Sequence, residues 1–301
     1  MALGAALITV TLWASAFVAI RSASSQLSPE ALALGRLVIA SVALGAIVAV
    51  RRERLPTLRD VPAIAFCGVF WMGLYNIALN EAERRVDAGT AAMLVNLGPI
   101  LIALLAGIVL REGFPRPLLA GCAIALAGTA AIGSATSRHG LAPSWGALLC
   151  VAAAFCYALS VVVQKPLLTR VSPLVITWLA CMFGTLVCVP WAGTLARELR
   201  HTTRASAIGW MVYLALVPLT LGFLTWGYAL ARTTAGRMGS TLYLVTPVAI
   251  LLGWLLLHET PPTLAVAGGA VCLVGVYVTR LPSSARRSSI VSASEASLSE
   301  R

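Results

Sequence analysis

One charged side chain stands well inside an apolar stretch of this chain. Arg36 is the single charge between residues 31 and 50. A guanidinium presents a planar fork of donors and stays protonated at any physiological pH. In an apolar setting it suits a carboxylate or phosphate, gripped by two parallel bonds. The competing reading is that it snorkels to the near interface or caps neighbouring carbonyls. It lies six residues after Glu30, roughly 9 Å along a helix that rises 1.5 Å per residue.

Three prolines mark further candidates. Pro99 and Pro247 fall inside apolar stretches. Proline lacks an N–H and clashes with the carbonyl four residues back, so the carbonyls of Val95 and Tyr243 are expected to be freed. In a membrane they need a partner or line a polar cavity. Asn96 and Thr246 stand beside them as candidate polar contacts, with a packing kink as the other reading. Pro218 and Gly222, with Thr220 between them, are a similar weak point. A hinge and a passive kink are both open there.

Catalytic constellations are not found. The sequence has no His-Glu-x-x-His, no Gly-x-Ser-x-Gly and no paired aspartates inside an apolar stretch, which a membrane-embedded enzyme would need. His139, His201 and His258 fall at or beyond the ends of these stretches, so no metal site and no cofactor are expected. All seven cysteines lie within apolar stretches and read as small hydrophobes.

These residues must be positioned by membrane helices. Of 301 residues, 59% are hydrophobic and 11% charged, with mean hydropathy +0.90. Too few charges exist to coat a soluble domain of this size. The net charge of +11 therefore points to loops held on the cytoplasmic side rather than to nucleic acid. Charge-free windows span 1–20, 61–80, 88–110, 117–137, 140–164, 171–196, 205–231, 238–257 and 260–279; the window 31–50 holds Arg36 alone. Each is long enough for a helix crossing about 30 Å of hydrocarbon. The first window lacks a basic leader and reads as a span, not a cleaved signal. With alternate loops counted, fourteen Lys and Arg fall on one side and seven on the other, which predicts both termini in the cytoplasm. Arginine dominance together with abundant alanine fits GC-rich bacterial coding, hence a bacterial inner membrane. Residues 282–301 hold eight serines and read as a disordered tail.

The chain also repeats itself. Trp13–Arg21 (WASAFVAIR) matches Tyr157–Lys165 (YALSVVVQK) at an offset of 144, and so does Leu27-Ser28-Pro29 with Val171-Ser172-Pro173. Ala88-Gly89 matches Ala235-Gly236 at 147. Pro99 then matches Pro247, and Glu112 matches Glu259. A repeat of five spans must re-enter the membrane from the opposite side. The expected architecture is therefore an all-α integral membrane protein with ten transmembrane helices. Two inverted five-helix repeats, residues 1–137 and 138–281, would surround a central cavity with the solute site between them.

The aromatic-small-small start, the Ser-Pro before the second span, and the Pro…Glu pair on spans four and nine resemble the EamA branch of the drug/metabolite transporter superfamily. The resemblance covers about residues 3–281. It implies a transporter of amino acids, other small metabolites, nucleotide-linked sugars or drugs, with a small solute and the bilayer as partners. A monomer and a homodimer stay open. It also implies that Trp13, Tyr157, Trp226 and Tyr243 lie on cavity helices. With Tyr75 and Asn76 they would form an amphipathic pocket for an apolar or zwitterionic solute. Trp71, Trp178 and Tyr228 read instead as interface-belt residues.

Within that family, the missing charges discriminate. Residues 1–20 hold no carboxylate, whereas a multidrug exporter should carry one in its first span. Exchange of nucleotide-linked or phosphorylated sugars would want several buried basic residues, and Arg36 stands alone. Glu112 and Glu259 end their spans and read as structural. Glu81 and Glu83 sit at a span end beside Arg84 and Arg85. Proton-driven carriers keep an ionisable group in the membrane. The expectation is amino-acid or small-metabolite export without an intramembrane carboxylate, with Glu81 the residue able to overturn it.

Overall fold

The computed structural model describes residues 1–23, 27–83, 85, 94–136, 145–201, 205–257 and 262–281. Among these residues all regular structure is helical. Helix α1 is Ala2–Ala23 and α2 is Pro29–Arg51. Helix α3 starts as Val61–Cys67, widens to a π-helix over Gly68–Leu74 and closes as Tyr75–Glu83. Helices α4, α5 and α6 are Gly98–Val109, Arg116–Thr136 and Trp145–Leu167. Helix α7 is Pro173–Cys188, a 3-10 turn at Val189–Trp191, then Ala192–His201. Helix α8 is Ala205–Leu214, a π-helix over Ala215–Leu221, then Gly222–Ala231. Helix α9 is Ala235–Thr241, a 3-10 turn at Leu242–Leu244, then Val245–Leu257, and α10 is Thr263–Thr279. Among the described residues, eight stretches are long and apolar enough to cross a membrane, while Gly98–Val109 and Thr263–Thr279 are shorter apolar helices. Arg84, Ala88, Gly89, His139, His258, Glu259 and the tail 282–301 lie outside the described residues.

Local chemistry sets several helix ends. Ser28 and Ser172 cap α2 and α7: each side chain accepts from the backbone N–H three residues on, at 3.3 Å from Ala31 and 3.4 Å from Val175. Each is followed by proline at the first helical position, where no N–H is needed. Helix α2 ends on Arg52 in the left-handed region (φ 49°), its N–H returning to the carbonyls of Ala49 and Val48.

Pro99 and Pro247 restart helices rather than bend them. The chain turns at Asn96–Leu97, with the Leu97 N–H on the Leu94 carbonyl at 3.1 Å. Helix α4 then begins at Gly98, which puts Pro99 in its first turn. In α9 the 3-10 turn ends at Leu244 and Pro247 is the third residue of the restarted α-helix. A fixed φ and a missing N–H suit a first turn and disrupt an interior.

The helices pack across the chain. Helix α1 lies against α8 and α9, α6 against α3 and α4, α2 against α7, and α5 against α10. The α5–α10 crossing is the most intimate. A Cβ on Gly121 would sit 2.5 Å from the Gly275 carbonyl oxygen, and one on Gly128 would sit 2.6 Å from that of Gly268. Small residues let backbones approach in lipid, where packing and polar contacts replace the hydrophobic drive between helices.

Candidate functional site

Six aromatic side chains meet where α1, α3, α6 and α8 converge. The rings of Trp13 and Trp226 stack with centroids 5.3 Å apart. Trp71 meets Trp226 edge-on at 5.7 Å and Phe223 edge-on at 5.0 Å. Tyr157 lies 6.1 Å from Trp71 and 5.8 Å from Tyr75. Offset and edge-to-face pairs of this kind are favoured by the ring quadrupoles. Four expected residues, Trp13, Tyr75, Tyr157 and Trp226, are therefore brought together.

The cluster has polar anchors. The Trp13 Nε1 donates to the Pro218 carbonyl at 3.1 Å. The Trp226 Nε1 donates to Gln164 Oε1 at 3.0 Å, and both side chains are buried. Pro218 sits in the π-helical turn of α8, where Thr220 Oγ1 donates to the Ala215 carbonyl at 2.8 Å. Gly222 is needed for space: a Cβ there would lie 2.7 Å from Trp13 Nε1. A Cβ at Gly98 would likewise overlap the Tyr157 phenol.

Trp71 and Phe223 were not expected here. Trp71 is only 7% exposed, against its reading as a belt residue. It lies within the π-helix over Gly68–Leu74, whose turns depart from the 3.6-residue period. Gln164 was also missed; a lone amide in the window 140–164 was the available signal.

Tyr243 does not join the cluster. It is fully buried with Val10, Ala103, Leu118 and Cys122, and its hydroxyl has no hydrogen-bond partner. Asn96 and Thr246 do meet, at a long 3.5 Å from Nδ2 to Oγ1.

A second, polar group lies on α2 and α3. Arg36 Nη2 donates to Asn76 Oδ1 at 2.5 Å. Asn76 Nδ2 in turn donates to the carbonyls of Met72 at 2.8 Å and Trp71 at 3.4 Å. Those carbonyls belong to the π-helix, whose ladder differs from that of an α-helix. Beside Asn76 is a cavity of about 120 Å³ lined by Glu30, Ala33, Asn76, Ile77, Glu81, Cys188 and Trp191.

Charged groups close the far end of the bundle. Glu112 accepts from the backbone N–H groups of Ala235 at 2.7 Å and Gly236 at 3.1 Å. Lys165 donates to the carbonyls of Leu230 and Thr233, each at 2.6 Å. Asp60, the one carboxylate among the described buried residues, pairs with Arg170 at 2.8 Å at the start of α3. No group of His, Cys, Asp or Glu among the described residues could hold a metal ion.

The sequence profile of the EamA-like transporter family matches residues 1–134 and 144–281. The chain belongs to that family. This EamA-like chain is 37% identical over 286 residues to a protein of Streptantibioticus cattleyicolor named a probable terminal-alkyne amino-acid exporter, covering 95% of each. It is 31% identical to an uncharacterized transporter of Bacillus subtilis, covering 90% of this chain and 88% of that one. It is 25% identical to a Salmonella typhimurium protein named a probable amino-acid metabolite efflux pump, covering 95% and 97%. A solved crystal structure matches with TM-score 0.76 at 21% identity, over 93% of this chain and 96% of that chain, a likeness of fold. Family, relatives and apolar helices make this EamA-like chain a multi-pass membrane transporter of small molecules.

Proposed function

We propose that this EamA-like transporter exports amino acids or related small solutes by alternating access, without an intramembrane carboxylate. It has ten spans in two inverted repeats, residues 1–137 and 138–281, and lies in a bacterial inner membrane. Both termini and the tail 282–301 are cytoplasmic.

One observation carries the mechanism: the α5–α10 crossing is reciprocal. Gly121 faces Gly275 and Gly128 faces Gly268. Positions 121 and 268, and 128 and 275, are 147 apart, the offset that joins Ala88-Gly89 to Ala235-Gly236. When residue i meets the counterpart of j, and j that of i, a two-fold axis relates the elements. Ser41 and Thr185, 144 apart, also meet each other at 3.4 Å between hydroxyls. The π-helices begin 147 residues apart, that of α3 packing on α7 and that of α8 on α2. Two like halves around one axis can rock to open either face in turn.

The solute class rests on the names of the full-length relatives and on the aromatic cluster. Drug efflux and sugar-metabolite transport are the second reading, favoured by nothing as specific. The test is uptake of a labelled amino-acid panel by proteoliposomes, with and without a pH gradient. Flux without the gradient, lost in Trp13→Ala, is expected. Flux only with the gradient would overturn the carboxylate-free mechanism and turn attention to Glu81. Flux of sugars or drugs alone would overturn the solute class.

A further inference from the structure

Three arginines stand at the end of the bundle where α5 begins and α10 ends. Gly121 of α5 faces Gly275 of α10, and Gly128 faces Gly268, so the two helices run antiparallel. The same register, carried on from 121 to 116 and from 275 to 280, brings Arg116 level with Arg280. Arg116 is the first residue of α5, and Arg280 caps α10. Arg237, in the first turn of α9, stands close enough for its charge to act on Arg280. Burial and that neighbouring charge both pull the Arg280 pKa below its ordinary value.

Among the described residues no carboxylate pairs with Arg116, Arg237 or Arg280. Glu112, four residues before Arg116, spends both oxygens on the backbone N–H groups of Ala235 and Gly236. The Arg280 Nη2 donates to a neutral group, Thr241 Oγ1, at 2.8 Å. Thr241 in turn donates to the Arg237 carbonyl at 3.0 Å, so one hydroxyl links Arg280 to the first turn of α9. Like charges held near each other away from water repel strongly. An anion between the two guanidinium groups relieves both.

The surface leading to these arginines is apolar. Val266, Ala270, Leu273, Tyr277 and Arg280 follow at intervals of three or four residues, the spacing of one helix face. Val266, Leu273 and Tyr277 are each more than half exposed, and Ala270 is exposed too. Helix α10 thus presents an uncovered apolar stripe that ends at a guanidinium. The stripe runs roughly 21 Å at 1.5 Å per residue, longer than the roughly 15 Å of one hydrocarbon leaflet. Tyr277, one turn before the charge, is of the type that favours the headgroup level. We propose that this end of α10 docks an anionic phospholipid, its phosphate between Arg237 and Arg280 and an acyl chain along the stripe. Arg116 adds charge at the same level. Basic groups between membrane helices, beside an apolar run, fit both parts of one amphiphile. A free phosphate would leave the stripe uncovered.

The experiment uses the full purified chain in detergent micelles. Phosphatidylglycerol is titrated in, and bound lipid is read by native mass spectrometry and by thermal unfolding. Phosphatidylcholine with the same acyl chains, and inorganic phosphate, are the comparison ligands. The parent protein should bind phosphatidylglycerol about tenfold more tightly than phosphatidylcholine, the worth of one charged hydrogen bond. It should also melt higher with phosphatidylglycerol, and inorganic phosphate at the same concentration should give no such rise. Arg237→Gln should abolish the preference for phosphatidylglycerol. Its side chain makes no ion pair among the described residues, so the variant is expected to fold. Arg280→Gln should act in the same way but also loses the Thr241 bond; Arg237→Gln decides if it does not fold. Arg54 is exposed between α2 and α3, at the same end of the bundle, where Asp60 meets Arg170. Arg54→Gln should keep the preference. Equal binding of the two lipids by the parent, or an unchanged preference in Arg237→Gln, overturns the site. A loss as large in Arg54→Gln also overturns it, showing diffuse attraction to a basic face. A rise in melting with inorganic phosphate equal to that with lipid overturns the lipid as occupant.

Discussion

Glu112 and Lys165 hold opposite ends of one turn and make no ion pair with each other. Helix α8 ends at Ala231 and α9 starts at Ala235. Lys165 takes the Leu230 carbonyl in the last turn of α8 and the Thr233 carbonyl in the turn that follows, and Glu112 takes two N–H groups from the start of α9. These are the orphan groups that every helix end leaves. Each charge also has the sign that opposes its helix dipole. The residues come from α6 and from the segment after α4, so the turn joins three separate parts of the chain.

Each residue of this bracket should therefore contribute mainly through its own backbone contacts, with a weaker Coulombic coupling between the two opposite charges. Glu112→Ala and Lys165→Met are each expected to cost about 1–2 kcal/mol, as for a charged group lost from a helix end. Glu112→Gln should cost less, since one amide oxygen still accepts. Thermal unfolding in detergent checks this. Strongly coupled losses in the double variant would contradict the independent contacts seen here.

Gly98 is set by a neighbour far along the chain. Gly98→Ala should destabilise the protein by about 1–3 kcal/mol, the usual cost of overpacking, because its Cβ overlaps the Tyr157 phenol. Adding Tyr157→Phe removes the overlapping hydroxyl and should recover part of the loss. A double variant no more stable than Gly98→Ala would show that the ring does not lie on Gly98.

The buried Trp226–Gln164 bond gives a sharper case. Trp226→Phe keeps the stacking but leaves the Gln164 oxygen without its donor. The expected cost is about 1–3 kcal/mol for an unsatisfied buried acceptor. Trp226→Phe with Gln164→Leu should be closer to the parent than Trp226→Phe alone, measured by melting of the purified protein.

The proposed pseudo-axis through Ser41 and Thr185 is open to cross-linking. With the native cysteines replaced by alanine, Ser41→Cys and Thr185→Cys should join under mild oxidation. After cleavage at a protease site placed within residues 137–144, the two halves should stay linked until reduced. Halves that separate without reductant would place the two hydroxyls apart in the membrane.

Orientation is read from the tail. Alkaline phosphatase fused after Leu281 should be inactive, and a green fluorescent protein at the same point should fluoresce, as a cytoplasmic terminus requires. An active phosphatase would reverse the topology.

The amino-acid sequence by itself determined what depends on local composition. Charge-free windows marked stretches that the structure forms as apolar helices, because the hydrocarbon thickness demands a run of apolar residues whatever the neighbours are. Ser28-Pro29 and Ser172-Pro173 announced helix starts because a cap is made within four residues. The tertiary structure decided which faces turn inward. In a helix apolar all round, periodicity does not separate the lipid side from the protein side, so Trp71 read as a belt residue and proved to be in the aromatic cluster. Tyr243, grouped with the cavity, packs elsewhere with Val10 and Cys122. The prolines were visible, but whether each bends or begins a helix depended on the 3-10 and π turns around it. Glu112 reaches Ala235 across 123 residues of chain. That contact depends on how α4, α6, α8 and α9 pack together, and in lipid their packing follows shape and polar pairing that no single window contains.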